Sequence, residues 1–182
     1  VGTGSARMLN NKIYCGTRGF AGEIGYFRLD AFRTRDDDYG NLKYSNYFDT
    51  LSLFSVLDIV RREVSGGAKG YLTDLAEKRG IDAYGITIKD MTDAYIAGDP
   101  VTVRALDSSA RVLGSVAANL AEYLDIDMIV INGAAVDLGD NYLNAVRETA
   151  RGKRVEYSSL MCDTTIMGAV NAGIMQAFSL RL

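Results

Sequence analysis

The sequence has no histidine, only two cysteines and a single proline in 182 residues. Without histidine it lacks both the commonest general base near neutral pH and the commonest zinc ligand. Cys15 and Cys162 stand far apart, and two such thiols suit a reducing compartment rather than a disulfide framework. A structural Cys/His zinc site of the usual kind is therefore excluded, and any catalysis has to use Asp, Glu, Lys or a hydroxyl. No run of the roughly 20 apolar residues needed for a membrane helix exists, and the opening residues do not read as a signal peptide. The expected location is the cytoplasm. Concentrated positive charge is missing too. The net charge is −3, and the pairs at Arg61-Arg62 and around Arg151 to Arg154 read as solvated helix and loop ends rather than a phosphate footprint. With 48% hydrophobic and 24% charged residues, the chain is an ordinary soluble domain able to bury a core.

Glycine is plentiful where it matters. Gly19-Phe20-Ala21-Gly22-Glu23-Ile24-Gly25-Tyr26 places one carboxylate between glycines that let backbone or ligand come close. On composition alone, an irregular connection with Glu23 simply solvated is the plainer reading; an acid that accepts hydrogen bonds from a hydroxyl-rich ligand is the sharper one. Gly2-Thr3-Gly4 offers backbone N–H groups to a phosphate, but no Gly-Lys-Ser/Thr follows, so it is no P-loop. The abrupt start at Val1 reads as a piece of a longer chain.

In order, Arg7 to Leu9 and Lys12 to Tyr14 read as a hairpin turning at Asn10-Asn11, and Tyr26 to Leu29 as a further strand. Asp30 to Asn46 is polar and irregular, and the acids Asp36-Asp37-Asp38 fit no EF-hand spacing. Asp49-Thr50 is placed to cap an amphipathic helix that carries Leu51, Leu53, Phe54, Val56, Leu57 and Val60 and ends before Ser65-Gly66-Gly67. Tyr71 to Arg79 predicts a helix stopped by Gly80, and Asp90 to Ala97 another. Asp99-Pro100 marks an N-cap and a first helical position. From there Leu106, Ala110, Leu113, Ala117, Leu120 and Leu124 recur at spacings of four and three, which predicts a long half-buried helix. The run Met128 to Ile131 suits a central parallel strand. A helix over Asp140 to Ala150, a strand over Arg154 to Tyr157 and a closing helix over Ile166 to Leu180 follow, the last with Gly168, Ala169 and Ala172 for tight packing. The expected class is α/β: a ribonuclease-H-like lobe of the actin-like ATPase type, with an antiparallel meander and then parallel βα units with helices on both faces.

The order of short motifs resembles the C-terminal lobe of the ROK family, which groups sugar-responsive repressors with sugar kinases. Gly2-Thr3-Gly4 is similar to the family's phosphate turn, Ala21-Gly22-Glu23-Ile24-Gly25 to its Ala-Gly-Glu-Ile-Gly, and Ala97-Gly98-Asp99-Pro100 to the segment before its long helix. Met128 to Gly133 resembles the strand leading into its nucleotide loop. The likeness runs over essentially all 182 residues as one lobe. It implies sugar-facing roles for Glu23, for Tyr26 (where the family has histidine) and for Asp49 in Tyr47-Phe48-Asp49-Thr50, where the family has glutamate. It implies nucleotide contacts at Gly2, Thr3, Gly4, Asn132 and Gly133.

The departures are as informative. The family's cysteine-rich zinc segment is replaced by Asp30 to Asn46, so no zinc is expected. Ala134 and Ala135 stand where the family's nucleotide loop carries glycine, and each added Cβ obstructs backbone approach to a nucleotide. No segment matches the family's catalytic aspartate or its helix-turn-helix, both of which lie upstream of this lobe. The resemblance thus implies a sugar-sensing and oligomerisation domain of a repressor, with DNA reached only through a separate N-terminal module. The alternatives are half of an ATP- and magnesium-dependent sugar kinase, or a degenerate lobe serving only in self-association.

Overall fold

Three helices among the described residues begin where a carboxylate meets their first N–H groups, and one of them ends at a left-handed glycine. The computed structural model describes residues 2–9, 12–27, 51–160 and 164–179, with the backbone alone at Tyr26 and at several positions in the last helix. The described chain divides into two units, Val1–Leu113 and Gly114–Leu182.

In the first unit, β1 (Met8–Leu9) and β2 (Lys12–Ile13) form a short antiparallel pair in the expected hairpin register, Met8 opposite Ile13. The meander expected around it is reduced, among the described residues, to this pair. Ile24–Tyr26 is a single 3-10 turn rather than the start of a strand, while Arg28 and Leu29 lie outside the described residues.

Helix α1 (Leu53–Ser65) buries Val56, Leu57 and Val60 and starts after Ser52, not after Asp49-Thr50, which also lie outside the described residues. It packs on α3 (Ile88–Ile96) and on the turn Ala83–Gly85. There Arg61 donates through Nε to the Ile86 carbonyl at 3.0 Å. Helix α2 (Tyr71–Arg79) stops at Gly80, whose φ of +64° is the left-handed C-terminal conformation. Helix α3 begins two residues before the sequence suggests, because Thr87 and Asp90 close a reciprocal capping box.

The long helix α4 (Pro100–Leu124) begins as the sequence predicts. Asp99 is buried, and its Oδ1 accepts from the backbone N–H of Val101 at 3.0 Å and of Thr102 at 2.9 Å. Its other oxygen, Oδ2, accepts from the Tyr71 N–H at 2.8 Å, the first residue of α2. One carboxylate therefore satisfies orphan donors at the starts of two helices. A Cβ on Gly70 would sit 2.3 Å from Oδ2, so a residue without a side chain is needed there. Within the predicted stripe of α4, Leu106, Ala110 and Ala117 are buried, and Leu113, Leu120 and Leu124 are half-buried.

In the second unit, β3 (Met128–Ile131) pairs in parallel with β4 (Arg154–Tyr157), Met128 opposite Arg154 and Ile131 opposite Tyr157. Helix α5 (Gly139–Thr149) connects them and packs on β4, burying Tyr142, Leu143 and Val146. The apolar run of β3 implied cover on both faces; here Ile131 is buried while Met128 and Val130 are exposed. Helix α6 (Thr164–Ser179) follows. The tight packing expected of its small residues is absent among the described residues, since a Cβ on Gly168 would meet nothing within 4 Å.

Replacing Asp99 by alanine leaves three N–H groups without their charged acceptor. It should cost about 3 kcal/mol of stability, read as a lowered urea midpoint. Asp90 sets an acid limit. Burial pushes its carboxyl up, but hydrogen bonds from the Thr87 hydroxyl and N–H, and from Arg79 at 2.8 Å, outweigh that and hold it below the ordinary 3.8. A depressed folded value means the contribution is complete above the unfolded value and disappears as pH falls through the folded one. Urea midpoints followed downward through this acid range should therefore fall more steeply for the native chain than for Asp90→Asn.

Candidate functional site

Two of the predicted segments meet in the first unit. Residues 3–5 run beside residues 22–25, tied by backbone hydrogen bonds from Gly25 N to Thr3 O (3.1 Å) and from Ser5 N to Gly22 O (2.7 Å). Ser5 adds its hydroxyl to the same Gly22 carbonyl at 3.0 Å. Ile24 N also donates to that oxygen, at 2.7 Å, closing a three-residue turn around Glu23. Glu23 has φ −71° and ψ +65°, the geometry of an inverse γ-turn. The acid thus stands at the tip of the tightest turn a chain makes, exposed, between two ties to the Gly-Thr-Gly segment.

Steric closeness explains the glycines. Gly22 has φ +107°, and a Cβ there would lie 1.8 Å from the Ser5 carbonyl oxygen; a Cβ on Gly25 would lie 3.0 Å from that of Thr3. Gly2 and Gly4, by contrast, face open space, and a Cβ on either would meet nothing within 4 Å. Their backbone is accessible to a ligand. Ile24 and Gly25 are buried beneath the acid, so the turn rests on a fixed base. In the hairpin that follows residues 3–5, the Arg7 guanidinium stacks on the Tyr14 ring, 4.6 Å from its centroid.

Among the sequence-predicted residues, Gly2, Thr3, Gly4 and Glu23 are brought together. Tyr26 ends the 3-10 turn three residues beyond Glu23. Asp49, the polar stretch Asp30 to Asn46 and Cys162 lie outside the described residues. Ser5 is the residue that sequence reasoning missed: it follows the Gly-Thr-Gly directly, but nothing local announces its partner 17 positions away. No three His, Cys, Asp or Glu side chains come together among the described residues; the stretch Asp30 to Asn46, on which the zinc expectation rests, lies outside them.

Asn132 and Gly133 belong to the second unit, at the C-terminal end of β3. Asn132 is exposed and extended, and Gly133 has φ +77° with open space around it. They lead into a 3-10 turn over Gly133–Leu138. At the neighbouring end of β4, Ser158 N donates to the Ile131 carbonyl at 2.8 Å. The Tyr157 hydroxyl donates to the Gly139 carbonyl at 2.9 Å, and burial, with Tyr142 and Asp140 nearby, pushes its pKa up, so it stays a neutral donor.

Residues 1–161 match the ROK family. The chain belongs to the ROK family. It is 29% identical over 151 residues to a glucokinase of Halalkalibacterium halodurans, covering 81% of this chain and 43% of that protein. It is 24% identical over 179 residues to a xylose repressor of Caldicellulosiruptor bescii, covering 93% of this chain and again 43% of the other. The chain thus spans less than half the length of these ROK relatives. Among solved structures, it superposes on the ROK glucokinase of Streptomyces griseus in complex with glucose and AMPPNP, with a TM-score of 0.76 and 22% identity, covering 94% of this chain and 57% of that one. The fold is the α/β fold of that ROK glucokinase. No helix among the described residues is long and apolar enough to cross a membrane.

A methyl group at position 22 tests the pairing of the two segments. Gly22→Ala should drive them apart and lower hydrogen-exchange protection at Ser5 and Gly25 at least about tenfold, in line with the 1–3 kcal/mol of a strained backbone position.

Proposed function

We propose that this ROK chain is a sugar-recognition lobe, serving as the sensing and self-association domain of a transcriptional repressor. The observation that carries the reading is Glu23, an exposed carboxylate on the tip of an inverse γ-turn whose flanks are pinned to residues 3–5. A carboxylate there accepts hydrogen bonds from vicinal hydroxyls of a sugar, and charge-assisted bonds of this kind are the stronger ones. Because its flanks are pinned, little ordering is left for the ligand to impose. Tyr26 and Asp49 supply further sugar contacts in this reading, and DNA is reached only through an N-terminal module.

The matched relatives include repressors and glucokinases alike, and they do not choose between the two. What supports sensing is the drift of the nucleotide loop to Asn132-Gly133-Ala134-Ala135, together with tyrosine in place of the family's histidine after Glu-Ile-Gly. One observation favours the second reading, half of an ATP-dependent sugar kinase. Gly2 and Gly4 keep open backbone where the phosphates of ATP, with its magnesium, would lie.

Calorimetry of the full-length protein with glucose, with xylose and with ATP–magnesium separates these readings. Binding of a sugar without nucleotide turnover is expected. Glu23→Gln should weaken that binding about ten- to a hundredfold, the loss of a charged hydrogen bond. Sugar-dependent ATP hydrolysis would sink the sensing reading, and silence toward every sugar would sink sugar recognition altogether.

A further inference from the structure

We infer that Ser5 is a positioning residue for Glu23, coupling an oxyanion held on the Gly2–Gly4 backbone to the conformation of the acidic turn. Only its consequence for sugar affinity rests on the reading of Glu23 given above. The Gly22 carbonyl receives three donors: the Ser5 N–H at 2.7 Å, the Ser5 hydroxyl at 3.0 Å and the Ile24 N–H at 2.7 Å. Two of the three come from Ser5. A carbonyl oxygen has two lone pairs, so these donors compete, and a change in the Ser5 pair alters the bond that closes the γ-turn on Glu23. Glu23 makes no side-chain capping bond of its own, so the turn's backbone alone sets where its side chain leaves the chain.

The other end of the linkage is open. Gly2 and Gly4 are exposed, a Cβ on either would meet nothing within 4 Å among the described residues, and Ser5 follows Gly4 directly in the chain. A phosphoryl group gathered by these N–H groups fixes residues 2–4 and, through the next peptide, the position of Ser5. The contact passes small movements on because it has no slack: without a Cβ at Gly22, the backbones already touch. Coupling of this kind is reciprocal, so a ligand drawn to Glu23 also changes the affinity of the Gly2–Gly4 segment for its anion. Gly25 provides an internal comparison, since it is tied to Thr3 and not to Ser5.

The test uses the uniformly labelled full chain and sodium tripolyphosphate, followed by amide chemical shifts, with glucose added in a second series. In the native protein tripolyphosphate should shift the Gly4 and Ile24 amides with one shared midpoint. In Ser5→Ala the Gly4 response remains, while the Ile24 response falls to about half, because one of the two Ser5 donors on the carbonyl is gone. Ser5→Thr keeps the hydroxyl and restores it. The Gly25 response is unchanged throughout, which a general loosening of the loop would not produce. The inference is overturned if tripolyphosphate leaves Gly4 unmoved, if Ile24 stays still in the native chain, or if Ile24 responds equally in Ser5→Ala. Should Ile24 respond through Ser5 while glucose never binds, the coupling stands and sugar recognition by Glu23 falls.

Discussion

The buried carboxylate of Asp99 is the constraint on which the helical part of the first unit depends. A helix start leaves its first N–H groups without partners, and burying such an end uncompensated is costly. Here α2 and α4 both begin beside one side chain, and its two oxygens divide the task, one for each helix. The approach is close enough to require a glycine at position 70, and Pro100 follows as a first helical residue that needs no acceptor. Asp90 does comparable work at the start of α3, where Thr87 supplies the reciprocal cap and Arg79 of α2 the counter-charge. Three helix starts are thus organised by two carboxylates that are shielded from water. The exposed ion pairs, such as Lys89 with Asp93, add little by comparison.

Away from these helices, the acidic turn uses a different principle. No buried charge holds residues 22–25; backbone groups of residues 3–5 do, at separations that glycine alone permits. This leaves the one carboxylate of the loop exposed, with no side-chain capping bond of its own among the described residues. In Asp99 and Asp90 the acid is consumed by the fold, whereas in Glu23 the fold is arranged around an acid it does not use. That contrast, more than exposure, is what supports the binding role proposed for Glu23.

Local signals were legible in the sequence. Asp99-Pro100 announced the start of α4, Gly80 the end of α2, and the apolar run of β3 a parallel strand, because each is a preference expressed within a few residues. Boundaries slipped where a neighbour competed: Thr87 drew the start of α3 forward, and the Tyr26 region closed into a 3-10 turn instead of extending. The glycine loop was legible as a loop and its acid as a candidate, and the order of motifs carried the family. The pairing of Ser5 with Gly22 was not legible. A glycine records that something comes close, but not what, and the partner lies 17 residues away on a segment with no pattern of its own.

The γ-turn also bears on what kind of work Glu23 can do. An exposed carboxylate at the tip of a turn is well placed to accept hydrogen bonds. Recognition needs the backbone that carries it held in place, and three donors on the Gly22 carbonyl do that. The contribution proposed for this loop is the same in either reading: a carboxylate for hydroxyls beside open backbone for phosphate. The two proposed readings therefore share one acid on one turn, and what would separate them lies in the groups brought to the other side of the sugar.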